Sequence, residues 1–253
     1  ALQAGTSHYF GDGFAKAFEI TFTGKDNQLH YPHQTSWGVS TRMIGGIIMT
    51  HGDNNGLVLP PRIAPIQVVI IPVAQHKEGV LEANRAVMDR LVKAGFRVKM
   101  DDSDQSAGWK FAEYEMKGIP LRLELGPKDM EKNQCVLVRR DSGEKSFVSL
   151  DGIEDTVAAM LDAIHDGLYA RAKKNLEDNT YACSSLEEVR EKMKERGGFA
   201  KTMWCGDEAC EIRMKEEAGV TSRCIPFAQE HLGDVCPICG KPAKHMIYWG
   251  VAY

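Results

Sequence analysis

Four of the chain's seven cysteines fall into two close pairs, Cys205 with Cys210 and Cys236 with Cys239, the second in a Cys-Pro-Ile-Cys-Gly knuckle. Two such chelating pairs place four thiolates around one tetrahedral ion, and zinc is the metal that this ligand set and spacing favour. With no histidine at a matching spacing, the site reads as closed and structural, bracing a small lobe with few core residues. The competing reading is four ordinary buried or redox cysteines. Cys224, between the pairs, reads as a packed thiol rather than a fifth ligand, and Cys135 and Cys183 as core or surface cysteines. An odd total with four members paired in this way suits a reducing compartment better than a disulfide framework.

A second candidate is Arg42, in the stretch TSWGVSTRMIGGIIMTHGD from Thr35 to Asp53. Ser40 and Thr41 are good helix caps, and apolar residues at 43, 44, 47 and 48 predict a buried helix with Arg42 in its first turn. A cation there opposes the helix dipole, so local stability does not account for it. A bound anion would, because helix-end N–H groups and a guanidinium together make a polyphosphate site. Pairing with a nearby carboxylate, or a plain surface position, remains the alternative.

The elements that must position these residues fall into three blocks. Residues 1–63 are rich in Gly, Thr and aromatics and close with Pro60-Pro61, which no helix continues through. The middle block alternates: IQVVIIPV (66–73) is a buried-strand run, and Val80, Ala83, Val87, Leu91 and Ala94 recur at helical spacing up to Gly95. RVKMD is strand-like, SAGWKFAEYEMKG helical to Gly118, and LRLEL, CVLVRR and KSFVSL are further strands, implying a mixed α/β sheet covered by helices. From Asp151 a long amphipathic helix carries Val157, Met160, Leu161, Ile164 and Leu168, and Ser185 with Glu188 forms a capping-box pattern for the next. The third block, from Gly198, holds the cysteine pairs.

At 253 residues the chain exceeds one average domain, so two or three compact units are expected. A formal charge of -4 excludes an overall basic footprint, so any nucleic-acid contact needs a local patch. Arg85, Arg90, Lys93, Arg97 and Lys99 are one candidate stretch, against the plainer reading of a solvated face. The longest apolar runs, 43–49 and 68–73, are too short to cross a bilayer and no signal-peptide pattern opens the chain, so no membrane partner and a cytoplasmic location are expected. Because position 1 is Ala and the chain starts in mid-pattern, a piece of a longer polypeptide is also expected.

The stretch TSWGVSTRMIGGIIMTHGDNNGLVLPPRIAPIQVVIIPV strongly resembles the third signature motif of class II aminoacyl-tRNA synthetases and its join to an anticodon-binding domain. LQAGTSHYFGDGFAKAFEI, DDSDQSAGWKFAEYEMKGIPLRLELGPKD, the cysteine pairs and the terminal VAY extend the likeness to the prolyl-tRNA synthetase family over essentially the whole chain. The short archaeal and eukaryote-like type, with a C-terminal zinc domain, is the nearer match. The resemblance implies the end of a class II antiparallel-sheet catalytic domain (1–63), an α/β anticodon-binding domain with a mixed five-stranded sheet (64–165) and a small α+β zinc-binding domain (166–253).

It further implies ATP-dependent activation of L-proline and its transfer to proline tRNA, with no covalent enzyme intermediate. Arg42 matches the arginine that holds the ATP phosphates and Ser40 a neighbouring hydroxyl contact. Gln3 and Thr6 match nucleotide contacts, Gln3 near a magnesium ion. His8 matches a residue of the proline pocket, which Trp37 and Gly38 are expected to line. Glu115 and Arg122 match positions that read the anticodon guanines, and Lys145 a third, although the alignment there needs one extra residue. Tyr253 matches a terminal residue that folds back toward the active site, so the zinc lobe is expected to brace the catalytic domain.

The first and second signature motifs are absent from these residues; Arg122 and Glu124 mimic the second only superficially, inside the anticodon domain. The chain alone is therefore expected not to activate proline, and the full-length enzyme is expected to be a homodimer. The alternative is a non-catalytic tRNA-binding or zinc-stabilised module derived from a synthetase. A zinc-ribbon DNA binder is disfavoured, because the zinc lobe lacks a basic concentration.

Overall fold

The computed structural model describes residues 2–252, so the expectation for Tyr253 lies outside the described residues. They divide into two compact units, one formed by Ile47–Lys174 and the other by residues up to Gly46 and from Asn175 onward. Among the described residues no helix is long and apolar enough to cross a membrane.

The N-terminal stretch runs β1 (Thr6–Gly11), α1 (Gly13–Ala17), the small antiparallel pair β2 (Phe22–Thr23) and β3 (Leu29–His30), β4 (Gln34–Gly38) and α2 (Arg42–His51). β1 and β4 pair antiparallel, Thr6 opposite Gly38 and His8 opposite Ser36. α2 begins at Arg42, whose N–H donates to Ser40 Oγ at 3.3 Å. The expected burial of this helix is not met: Met43, Ile44, Ile48 and Met49 are exposed and no helix residue is buried. The stripe is apolar, but full burial needs an opposing layer, and among the described residues the cover is partial, leaving Ile47 only half-buried.

In the unit Ile47–Lys174, β5 (Val68–Pro72), α3 (Val80–Lys93), β6 (Val98–Met100), α4 (Ala107–Met116), β7 (Leu121–Leu125), α5 (Pro127–Met130), β8 (Gln134–Arg139), β9 (Lys145–Ser149) and α6 (Ile153–Asp178) follow in order. The sheet order is β6-β5-β7-β8-β9: β5 is parallel to both neighbours, and β7, β8 and β9 are antiparallel. This is the mixed sheet expected from the alternation of strand and helix, with the five strands that the resemblance implies. The interior strand β5 is buried at every residue, as a parallel strand covered on both faces must be. One face takes Val68, Ile70, Leu121, Leu123 and Leu137 against Val87 and Leu91 of α3 and Val157, Leu161 and Ile164 of α6. The other takes Val69 and Ile71 against Tyr114 of α4 and Ile119.

Two of the five cations in the basic stretch from Arg85 to Lys99 are engaged by the fold. Arg90 makes two 2.8 Å bonds to Glu154, and Arg97 donates to the carbonyls of Ala64 and Pro61 at 2.9 Å.

From Asn175 onward come β10 (Thr180–Ala182), α7 (Leu186–Glu195), β11 (Phe199–Trp204), α8 (Glu208–Ala218), β12 (Thr221–Cys224) and β13 (His245–Gly250), with the strands ordered β10-β11-β13-β12. Ser185 caps α7 by accepting the Glu188 N–H, but the Glu188 carboxylate reaches back to Ser184, one residue earlier than the expected box. This part is better packed than the expected few-residue lobe: Val189, Met214, Ala200, Ile247 and Trp249 form a core with the cysteines, and Trp249 Nε1 donates to buried Thr202 at 2.9 Å. Cys135 and Cys183 are buried, whereas Cys224, expected to be packed, is exposed. It ends the edge strand β12, where an irregular register offers it no covering neighbour.

Candidate functional site

LRLEL alternates, so its three leucines enter the core and Arg122 and Glu124 emerge on the opposite face, the one covered by α4. Register carries that face across the whole sheet: Lys99, Val69, Arg122, Val138 and Lys145 stand opposite one another on β6, β5, β7, β8 and β9. Directly opposed residues share a face, so three cations and two valines form one row. Tyr114 and Glu115, at the end of α4, border it. Val69, Tyr114, Glu115, Arg122, Val138 and Lys145 together line an open cavity of about 180 Å³.

The Arg122 guanidinium lies 4.1 Å over the Phe111 ring and pairs with Glu124 at 2.9 Å, so its plane is fixed before any ligand arrives. Tyr114 bonds Asp101, and burial followed by that bond pushes its phenol up to about 12. Asp101 in turn faces the buried Lys110 at 3.7 Å. Glu115 Oε1 accepts from Asn55 Nδ2 at 3.0 Å. Arg140 makes two 2.7 Å bonds to Asp53 and donates to the Glu115 carbonyl at 2.8 Å. Its guanidinium holds Asp53 at about 2. The cavity thus offers cationic donors, a carboxylate acceptor and apolar floor residues, a set suited to a planar ligand with polar edges.

The four paired cysteines form a second site, their sulfurs all within 4.8 Å of one another. Cys205 Sγ lies 3.6 Å from Cys210 Sγ and 3.7 Å from Cys239 Sγ. Four sulfurs at about 2.3 Å from a tetrahedral zinc are about 3.8 Å apart, so the donor set fits a metal of that size, whereas a disulfide would require about 2 Å. Burial pushes the Cys205 and Cys210 thiols up. The Lys241 backbone N–H leads in holding exposed Cys239 down, at about 7.

Near the N-terminus, Arg42 is exposed, and its Nη1 donates to Gln3 Oε1 at 3.1 Å, so the partner is an amide rather than the carboxylate of the alternative reading. Thr6, His8 and Gly38 share a face of the β1–β4 pair, but Trp37 stands opposite Ser7 on the other face. Period-two alternation therefore separates Trp37 from His8, against the expectation that both line one pocket. A Cβ at Gly38 would meet only Thr6 Oγ1 at 3.7 Å, so the chain's own packing does not demand glycine there.

Residues 67–160 match the anticodon binding domain family, and residues 186–253 match the family described as prolyl-tRNA synthetase, C-terminal. The chain is 58% identical over all 253 residues to "Proline--tRNA ligase 2" of Bacillus thuringiensis subsp. konkukian. It is 59% identical over the same length to "Proline--tRNA ligase" of Clostridium botulinum strain Okra and 60% to that of Ruminiclostridium cellulolyticum. Over its whole length the chain is similar to proline--tRNA ligases. It spans about half the length of the curated relatives it matches, 53% of each of these three.

Within the matched anticodon-binding region, Glu115, Arg122 and Lys145 come from a helix and two strands and meet in one cavity. Sequence reasoning missed Arg139 and Arg140, also in its lining, and Asn55 and Asp53 behind it. The Arg-Arg pair ending β8 was a usable signal. The contacts of Asn55 and Asp53 span 60 and 87 residues, and no local pattern announces them.

Proposed function

We propose that the chain is the C-terminal part of a prolyl-tRNA synthetase and that the Glu115–Arg122–Lys145 cavity reads the guanines of the proline anticodon. The gathering of these three residues around one cavity carries the reading. Guanine presents N1 and N2 donors on one edge and O6 and N7 acceptors on the other; a carboxylate takes the first, and Arg or Lys the second. Val69, Val138 and Tyr114, themselves buried, form an apolar floor beneath the polar groups. The restrained guanidinium of Arg122 favours specificity, since little freedom is lost when it donates.

Cys205, Cys210, Cys236 and Cys239 would hold a zinc ion, which supplies folding energy to the C-terminal unit rather than chemistry. Arg42, with Gln3, Thr6 and Ser40, would receive the phosphates and ribose of ATP, and His8 and Gly38 the proline. The exposed apolar stripe of α2 fits a helix that the rest of a catalytic domain covers. Magnesium takes carboxylate, phosphate and water oxygens; Gln3 and Arg42 supply no carboxylate, so such an ion would come with the nucleotide. Cytoplasmic location, a homodimer of the full-length enzyme and domain boundaries at 63/64 and 165/166 belong to the same reading. The 253 residues alone do not catalyse proline-dependent ATP–pyrophosphate exchange, because the motif that grips the α-phosphate is not among them.

Fluorescence anisotropy of the chain with proline-tRNA transcripts tests the reading. Replacing the anticodon guanines weakens binding about tenfold or more, and Arg122→Ala removes most of that difference. Equal affinity for native and replaced anticodons would remove the assignment.

A further inference from the structure

The segment Asp53–Leu59 follows α2 after Gly52 and looks in sequence like a connecting loop, yet its contacts gather on Glu115, the residues just after it and Arg140. Asn55 Nδ2 donates to the Glu115 carboxylate at 3.0 Å. Asp53 holds both terminal nitrogens of Arg140 at 2.7 Å, and Arg140 Nε donates to the Glu115 carbonyl at 2.8 Å. The backbone continues the clamp: Leu57 N–H donates to the Met116 carbonyl at 2.9 Å and Leu59 N–H to the Gly118 carbonyl at 3.1 Å. Gly56, at φ 129°, passes so close that a Cβ there would lie 2.5 Å from the Met116 carbonyl oxygen.

We infer that Asn55 is a positioning residue for base recognition: with Asp53 and Arg140 it fixes the carboxylate of Glu115 so that the cavity selects guanine over bases lacking an exocyclic N2 donor. The inference rests on the anticodon reading of the cavity and adds to it a specificity determinant outside the 67–160 family match.

Local forces do not hold Glu115 in place. It sits in the last turn of α4, where the helix dipole disfavours a carboxylate, and its side chain carries several free torsions. Asn55 occupies one lone pair of Oε1 and sets the carboxylate plane, leaving Oε2 and the second lone pair of Oε1 for two parallel donors such as guanine N1–H and N2–H. Asn55 is exposed, so core packing gives no reason for an amide at that position. Asp53 and Arg140 act one step back, on the backbone that carries Glu115.

The test compares the full 253-residue chain with Asn55→Ala, using proline-tRNA transcripts in which each anticodon guanine is replaced in turn by inosine, which lacks only the N2 amino group. The wild type binds guanosine about tenfold more tightly than inosine at the position Glu115 reads. Asn55→Ala lowers that ratio to about twofold, weakening the guanosine transcript and leaving the inosine transcript unchanged. Added to Glu115→Ala, it changes the ratio no further. An unchanged ratio in Asn55→Ala beside a discriminating wild type overturns the inference and spares the anticodon reading, as does equal weakening of both transcripts. Failure of the wild type to discriminate at either position overturns both.

Discussion

Replacing Lys110 by methionine tests how the cavity is held up. The Lys110 side chain is 2% exposed; its ammonium donates to the Asp101 carbonyl at 2.9 Å and to Gln75 Oε1 at 3.2 Å and stands 3.7 Å from Asp101 Oδ1. Methionine nearly conserves the volume, so little of the cost comes from a void. The cost comes from Asp101, a carboxylate left in a nearly dry site without its cation. Removing one partner of a buried pair costs about 3–5 kcal/mol. Asp101 keeps bonds from the Ser103 hydroxyl at 2.6 Å and N–H at 3.0 Å, and one with Tyr114, which places the expectation near the lower end, about 3 kcal/mol. The chain has two compact units, so one unfolding curve is not a two-state quantity. Hydrogen exchange read on β5 and α4 peptides in urea isolates the right unit. Lys110→Met should lower protection there by about 3 kcal/mol, and Asp101→Asn in the same background should recover part of it, because a neutral amide is less costly to leave unpaired. A loss below about 1 kcal/mol, or no recovery in the double variant, would refute a charged Lys110–Asp101 support.

A zinc chelator, or Cys236→Ser, should strip exchange protection from β11 and β13 and leave β5–β9 intact. In thiol titration, exposed Cys224 should react first and the chelator should add further fast thiols; no change on chelation would mean that the cluster holds no metal. Asp53 titrates at about 2, below its ordinary value of 3.8, so its stabilisation is complete above pH 4 and is lost as pH falls toward 2. Because Asp53 is 47% exposed, screening trims the effect: Asp53→Asn should cost about 1 kcal/mol at pH 7 and 5 and less at pH 3, and a difference growing on acidification would contradict the pairing. Gly56→Ala should destabilise the Ile47–Lys174 unit by about 1–3 kcal/mol, given its positive φ and the 2.5 Å approach to Met116; hydrogen exchange read on β5 and α4 peptides checks this, and a neutral result would contradict the close packing.

Patterns carried by nearby residues were legible. LRLEL was legible as a strand, IQVVIIPV announced the buried strand, and the spacing of four cysteines announced sulfurs that lie together. What local pattern does not encode was missed. The apolar stripe of α2 says that a face is apolar, not that these residues cover it. Trp37 was grouped with His8 by proximity in motif, and a register of one residue put them on opposite faces. Cys224 was placed in packing because it falls between the pairs without a partner, but it ends an edge strand. The Arg85–Lys99 stretch counts as basic in sequence, yet Glu154 and two backbone carbonyls absorb Arg90 and Arg97.

Kethoxal attacks guanine at N1 and N2, the edge assigned to Glu115, so its footprint on proline tRNA reads the central claim most directly. Saturating chain should protect at least one anticodon guanine, and Glu115→Ala, still able to bind through other contacts at raised concentration, should leave that guanine reactive. Anticodon guanines that stay fully reactive in the wild-type complex would contradict the account.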